Sequence, residues 1–124
     1  MSQNAMYEDF ERAGKMEVIA KALSRYVQSL APGGEFILEG KRWVYRHQNF
    51  VTFSVQPKKA GVMLTLSGSP GSFRERMETF GFRKEYENDL ERERTSYSRY
   101  PVRSPGQLLV AAQLIKWAFD NFNA

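Results

Sequence analysis

The chain has 124 residues, of which 42% are apolar and 26% charged, a balance that suits one globular domain and argues against disorder over the whole length. It contains no cysteine, which excludes disulfides, thiolate metal ligands and a cysteine nucleophile. No apolar run is long enough to cross a bilayer, and residues 1–10 lack the basic start and apolar stretch of a signal peptide. We therefore expect a single domain over residues 1–124, cytoplasmic and without membrane contact.

Basic residues exceed acidic residues by 18 to 14, which gives a net charge of +4 and a pI near 9.5. The excess lies mainly in residues 58–103, which hold ten basic and seven acidic side chains. Arginine binds phosphate and carboxylate through two parallel hydrogen bonds, and a pI above 9 is typical of nucleic-acid binders. However, Arg and Glu interleave through residues 74–94, which is typical of a solvated surface with local ion pairs. Both interpretations are open at this point.

The N-terminal part predicts an amphipathic helix from Lys15 to Leu30. Its apolar residues recur at intervals of three and four, as a helical stripe requires: Val18, Ile19, Ala22, Leu23, Tyr26, Val27 and Leu30. Gly14 indicates a break from a weaker helical segment that carries Tyr7 and Phe10. The stretch Ala31-Pro32-Gly33-Gly34 ends the helix and turns the chain.

After residue 34 the apolar residues alternate, which is the period of a β-strand. Residues 35–39 and 42–46 predict two short strands joined by a tight turn, and residues 49–56 and 62–67 predict two longer ones. The longer strands are apolar on one face and polar on the other, which predicts an antiparallel sheet covered on one side only. The apolar face carries Val51, Phe53, Val55, Val62, Leu64 and Leu66.

The segment from residue 73 to residue 94 carries weaker signals. Phe73, Met77 and Phe80 are compatible with a short helix that Gly81 ends. The charged run over residues 84–94 is open between a solvated helix and a mobile loop. Residues 95–102 then alternate again and predict a further strand.

The last helix has the clearest start signal of the chain. Ser104, Pro105 and Gln107 occupy the first positions of a capping box. Apolar residues follow at helical spacing: Leu108, Ala111, Ala112, Ile115, Ala118, Phe119 and Phe122. The sequence therefore predicts an α+β fold, an antiparallel sheet of four to five strands with the N- and C-terminal helices packed on one face.

Motifs for catalysis and for cofactor binding are absent from the sequence. The only histidine is His47, which excludes a metal site with two histidines and which we expect in a turn or on the surface. The patterns GxSxG, GxxxxGK[ST] and GxGxxG do not occur. Glu35 and Glu39 share a face of a strand but lie about 13 Å apart, too far to share a metal. We expect no enzyme activity, no cofactor and no metal.

Two parts of the predicted sheet are candidate binding surfaces. Residues 42–50 mix basic and aromatic side chains, as sites for single-stranded nucleic acid do. Alternation is favoured, because it explains the pattern without a ligand by placing Trp43 and Tyr45 in the core and Arg42 and Arg46 outside. The polar face of the sheet is the second candidate, since short hydroxyls beside arginine can hold an anionic or polar ligand, although the same side chains also fit an ordinary solvated sheet face. It carries Thr52, Ser54, Gln56, Thr65, Ser67, Arg99 and Arg103.

Three stretches, QNFVTFSVQPKK, AGVMLTLSGSP and SYSRYPVRSPGQLLVAAQLIKWAFDNF, carry a family resemblance over residues 49–122. Their order resembles a group of small bacterial domains of unknown function that are labelled predicted transport proteins. Residues 73–94 depart from that pattern, because Arg and Glu replace a segment with Gly and Trp. More loosely, the chain resembles MmcQ/YjbR-type domains. Both likenesses imply an α+β fold and no catalytic residues, and the first implies a nucleic-acid context because some members accompany restriction-type nucleases.

Two hypotheses on function follow from the sequence. The first is a non-catalytic binding module for nucleic acid or another polyanion, including an acidic partner, through Arg42, Arg46, Lys58, Lys59, Arg99 and Arg103. The second is a homodimeric interaction domain that uses exposed aromatic residues such as Trp43, Phe50 or Phe82. It is motivated by an aromatic content of 14%, which is more than one small core readily hides.

Overall fold

The computed structural model describes residues 2–46, 48–94 and 96–124. Its strands are β1 (Phe36–Glu39), β2 (Arg42–Tyr45), β3 (Val51–Gln56), β4 (Gly61–Ser67), β5 (Glu91–Arg94) and β6 (Tyr97–Val102). They form one antiparallel sheet in the order β1-β2-β3-β4-β6-β5. The predicted α+β fold is confirmed, but the sheet has six strands rather than four to five. The predictions for His47 and for the start of a strand at Thr95 lie outside the described residues.

The helices are α1 (Ser2–Phe10), α2 (Glu17–Leu30), α3 (Pro70–Phe80), α4 (Lys84–Asn88) and α5 (Leu108–Phe122). A 3-10 segment, Glu11–Met16, separates α1 from α2, and Gly14 within it has φ of +63°, which places the break where the sequence predicts it. Gly81, with φ of +96°, ends α3 in the same way. None of the helices in the described residues is long and apolar enough to cross a membrane.

The junction between β6 and α5 is held by one buried side chain. Gln107 Oε1 accepts hydrogen bonds from the backbone N–H groups of Arg103 at 2.7 Å and Ser104 at 3.0 Å. Its Nε2 donates to the carbonyl oxygen of Pro101 at 2.7 Å. The predicted capping box is therefore present, and it fixes the direction in which α5 leaves the sheet.

The core lies between one face of the sheet and the terminal helices. Phe53 on β3 and Leu64 on β4 are fully buried partners in the register. The ring of Phe10 from α1 lies 5.7 Å from that of Phe53, and α5 reaches the end of β4, where the Asn121 side chain donates to the Ser67 carbonyl at 3.0 Å. The N- and C-terminal helices thus share one face of the sheet, as the matching apolar stripes predict.

The opposite face of the sheet is concave and partly covered. Three strands separate β2 from β5, so in a flat sheet they would lie about 19 Å apart at roughly 4.8 Å per step. Nevertheless, Arg42 Nη2 on β2 donates to Glu93 Oε1 on β5 at 2.9 Å. The sheet therefore curls toward this face and buries Thr52 and Thr65 in its middle. The terminal helices cover only the other face of the sheet, as the sequence predicts, and the burial of Thr52 and Thr65 comes from the curl of the sheet itself.

The sixth strand is the element that the sequence does not predict. The sequence of residues 84–94 does not decide between a helix and a loop. In the structure this segment forms α4 and β5. The sequence of β5 is Glu-Arg-Glu-Arg, and the strand lies at the edge of the sheet. It therefore has no alternation of apolar residues from which a strand could be predicted. Its pairing with β6 has a bulge between Arg92 and Arg94.

Gly61 tests how closely β4 and β6 pack. A Cβ atom at residue 61 would clash with the backbone carbonyl oxygen of Val102, which cannot move without breaking the strand pairing. We expect Gly61→Ala to lower the free energy of unfolding by about 1–3 kcal/mol in urea titration. The control is Gly71→Ala in the first turn of α3, where no atom lies within 4 Å and the change should be neutral or stabilising by about 0.5 kcal/mol. Equal stability of the two variants would contradict the clash.

Candidate functional site

The concave face holds a groove that runs along β3 and β4. On one side of the Arg42–Glu93 ion pair is a cavity of about 160 Å³ over Thr52, and on the other is one of about 340 Å³ over Ser54 and Gln56. Both cavities are lined by Arg42, Thr65 and Glu93, so the ion pair divides one continuous depression. We call this depression the sheet groove and define it by Arg42, Thr52, Gln56, Thr65, Glu93, Arg94 and Arg99.

Strand alternation places the polar side chains of the sheet groove. Thr52 on β3 lies opposite Thr65 on β4, which in turn lies opposite Arg99 on β6. Directly paired residues point to the same face of a sheet, so these three side chains share the concave face. Five residues of the polar face predicted from the sequence therefore line the sheet groove, whereas Ser67 and Arg103 line neither cavity.

The charges of the sheet groove are partly paired. Arg42 and Glu93 form the short ion pair, in which the Arg42 side chain is 46% exposed and that of Glu93 is 19% exposed. Arg99 Nη1 lies 4.0 Å from Glu91 Oε1, a longer contact at the edge of the sheet. Arg94 lines the smaller cavity and forms no ion pair with any described residue. The lining of each cavity therefore has one more positive than negative side chain.

Two buried polar atoms of the groove lack partners. Thr52 is only 7% exposed, and its Oγ1 has no hydrogen-bond partner among the described residues. The same holds, within that part of the chain, for Gln56 Oε1 in the larger cavity. By contrast, the Ser54 hydroxyl between them donates to the Lys41 carbonyl at 3.1 Å. Leaving a buried polar atom unpaired costs about 1–3 kcal/mol, so these atoms favour occupation of the groove by a polar molecule.

The basic residues named from the sequence do not form a single surface. Arg42 and Arg99 come together in the sheet groove. Arg46 follows β2, is exposed and lines neither cavity of the groove. Glu93 and Arg94, which complete the groove, were not named from the sequence, because nothing in residues 84–94 predicts their strand.

The remaining named cations lie at the other end of β3. Lys58 and Lys59 are exposed in the 3-10 turn Pro57–Lys59 that joins β3 to β4. Arg103 follows β6 at the same end, beside Gly61, and is half-buried. Burial raises the pKa of the Asp89 carboxyl, and the positive charge of Arg103 offsets part of that rise. These three cations form a separate basic end of the sheet.

The aromatic residues of the stretch 42–50 are buried. Trp43 is 4% exposed, and its Nε1 donates to Asp9 Oδ2 at 2.9 Å. Tyr45 donates its hydroxyl proton to the Ala31 carbonyl at 2.6 Å, and the ring of Phe50 lies 5.2 Å from that of Phe119. Alternation is thus the correct explanation of this stretch, and the expectation that Trp43 and Phe50 form an exposed surface is wrong.

One aromatic cluster does reach the surface. The rings of Phe80 and Phe82 lie 4.8 Å apart, and Trp117 on α5 lies 5.9 Å from Phe80. Phe80 is 58% exposed and lines a shallow cavity of about 490 Å³ together with Trp117 and charged side chains of α3 and α5. Phe82 was named from the sequence. The sequence does not point to Trp117, because this residue lies outside the apolar stripe predicted for the last helix.

Comparison with protein-family models, with curated proteins and with solved structures finds no match for this chain. The family resemblance over residues 49–122 therefore stays a prediction. Among the described residues, no three histidine, aspartate or glutamate side chains are grouped so that they could hold a metal ion.

The burial of Tyr100 makes the stability of the fold depend on pH in the alkaline range. It is fully buried on the helix face of β6, and burial raises the pKa of its hydroxyl to about 12, although the neighbouring Gln107 side chain partly opposes that rise. In the unfolded chain this tyrosine loses its proton near pH 10. The folded state then binds more protons than the unfolded state, so the stability is complete below pH 10 and falls between pH 10 and 12.

We expect the midpoint of urea unfolding to decline from pH 10 upward. Tyr100→Phe should make that decline shallower, because the group that ionises only on unfolding is gone. Equal slopes for the two proteins between pH 10 and 11.5 would contradict this assignment. The raised pKa of Tyr45 leaves part of the decline in the variant.

Proposed function

We propose that this chain is a non-catalytic binding module that holds a small anionic ligand in the sheet groove. The observation that carries the proposal is the buried Thr52 hydroxyl, which has no partner among the described residues and lies in a cavity lined by Arg42 and Arg94. A phosphate or carboxylate oxygen would accept hydrogen bonds from that hydroxyl and from both guanidinium groups.

Size and charge favour a small ligand over an extended polyanion. The cavities of about 160 and 340 Å³ lie in a curled sheet, and two of the three arginines there face glutamates of β5. A nucleic-acid strand instead needs a row of free cations that follow the phosphates. Lys58 and Lys59 lie at one end of β3, and Arg46 lies at the other end. These cations therefore do not form such a row.

Isothermal titration with inorganic phosphate and with succinate tests the proposal and separates a phosphate ligand from a carboxylate ligand. We expect one of them to bind the wild-type protein and Arg42→Gln to weaken that binding roughly ten-fold or more, because a charge-assisted hydrogen bond is lost. The matched control is Arg46→Gln, which removes the same charge outside the groove and should change the affinity less than two-fold. No binding of either anion at millimolar concentration, or equal effects of the two variants, would contradict the proposal.

A separate experiment tests the hypothesis that the protein binds nucleic acid. Fluorescence anisotropy with a labelled single-stranded oligonucleotide would follow polyanion binding, whose affinity falls steeply with salt. If the oligonucleotide binds and the double change Lys58→Gln with Lys59→Gln abolishes binding while Arg42→Gln does not, the basic end of the sheet is the site. In that case the polyanion hypothesis replaces the small-ligand proposal.

A homodimer is the second candidate function, and the cluster of Phe80, Phe82 and Trp117 favours it. Clustered aromatic rings at a surface are typical of protein–protein interfaces. The rim of the cluster carries both signs of charge, with Arg76 next to Glu75 and Asp120. A mixed rim is compatible with a two-fold interface, in which one patch must complement itself.

Sedimentation velocity at micromolar concentration tests the dimer. We expect a dimer for the wild-type protein and a shift toward monomer for Phe80→Ala, because the most exposed ring of the cluster is removed. The control is Leu109→Ala, which removes a 76% exposed apolar side chain near the start of α5 and should leave the dimer intact. A wild-type monomer across the micromolar range would rule this candidate out.

A further inference from the structure

The Arg42–Glu93 ion pair joins residues that are far apart in the sheet. The two side chains lie on strands separated by three others, and their contact is the link that crosses the sheet groove. Glu93 is one of the lining residues of both cavities, as are Arg42 and Thr65. A ligand in either cavity therefore lies beside the Glu93 carboxylate as well as beside Arg42.

We propose that Glu93 is a built-in competitor of the ligand, so that the acidic group of the ligand takes its place on Arg42 and releases β5 from the opposite side of the sheet. This inference rests on the proposed function and specifies the ligand chemistry of the same groove: a group of carboxylate or phosphate type that forms with Arg42 the hydrogen bond that Glu93 now forms. No other charged side chain in the described residues lies within ion-pair distance of Arg42.

The geometry of β5 permits this exchange. The strand is four residues long and lies at the edge of the sheet, so it pairs on one side only, with β6. Its pairing is already interrupted by the bulge between Arg92 and Arg94. A short, bulged edge strand opens at a lower free-energy cost than a central strand, since it makes few backbone hydrogen bonds.

The electrostatics also permit exchange. A partly exposed ion pair contributes little net stability, because both charges stay partly hydrated. A ligand that also bonds the free Arg94 and the buried Thr52 hydroxyl offers more partners than Glu93 alone. The ligand anion and the Glu93 carboxylate would repel one another inside the groove, so occupancy by the ligand favours the open position of β5.

The test compares two glutamates on the same strand. Glu93→Gln removes the competitor, whereas Glu91→Gln removes an equal charge two residues away, where the carboxylate faces Arg99 at 4.0 Å. Both variants raise the net charge by one, so long-range attraction of an anion changes equally. For the anion that binds the wild-type protein, phosphate or succinate, we expect Glu93→Gln to increase the affinity roughly five-fold and Glu91→Gln less than two-fold.

Amide hydrogen exchange of residues 91–94 supplies a second measurement. We expect faster exchange in Glu93→Gln than in the free wild-type protein, and saturation of the wild-type protein with the same anion to bring its exchange to a similar rate. Slower exchange of β5 on anion binding would overturn the release of this strand.

The outcomes separate this inference from the proposed function. Equal increases in affinity for the two glutamate variants would overturn the competitor role, while loss of binding in Arg42→Gln would still support the groove as the site. Weaker binding in Glu93→Gln would mean that Glu93 contacts the ligand directly, which also overturns competition. If the wild-type protein and Glu93→Gln both bind neither anion, the proposed function and the inference fail together.

Discussion

The curl of the sheet is the constraint on which the candidate site depends. A flat six-stranded sheet would present Thr52, Thr65 and Arg99 to solvent as an ordinary wet face, with β2 and β5 about 19 Å apart. Curling brings Arg42 to 2.9 Å from Glu93 and converts the same face into a lined depression. The twist common to all sheets and the bulge in β5 both favour this curvature. The burial of Thr52 and Thr65 and the ion pair between Arg42 and Glu93 follow from that shape.

Elements with a strong period could be predicted from the sequence. The stripes of α2 and α5, the alternation of β3 and β4 and the capping box at Ser104 each combine a local signal with burial against the same core. In contrast, β5 carries only charged residues, and its strand conformation comes from pairing with β6 and not from any apolar pattern. The sequence of such a strand carries no local pattern from which it could be predicted, because its conformation depends on pairing with a neighbouring strand.

The part of the candidate site that lies on strands with clear alternation could be predicted from the sequence, and the part on β5 could not. Alternation assigned Thr52, Thr65 and Arg99 to one polar face, and the register places them side by side. Glu93 and Arg94 could not be added, because their approach to β2 depends on a long-range curvature that no local pattern encodes. Nor could the sequence show that Lys58, Lys59 and Arg46 lie at opposite ends of β3, so it overstated the unity of the basic surface.

The aromatic content illustrates how composition misleads about surfaces. A share of 14% suggests surplus rings, yet the two-layer arrangement fully buries many of them, including Phe36, Phe50 and Phe53. The cluster of Phe80, Phe82 and Trp117 reaches the surface, and Trp117 belongs to α5, which packs on the helix side of the sheet. The sheet groove opens on the opposite side. Because the sheet separates the two surfaces, a dimer formed through the cluster would leave the groove accessible, and the two proposed functions are compatible in one molecule.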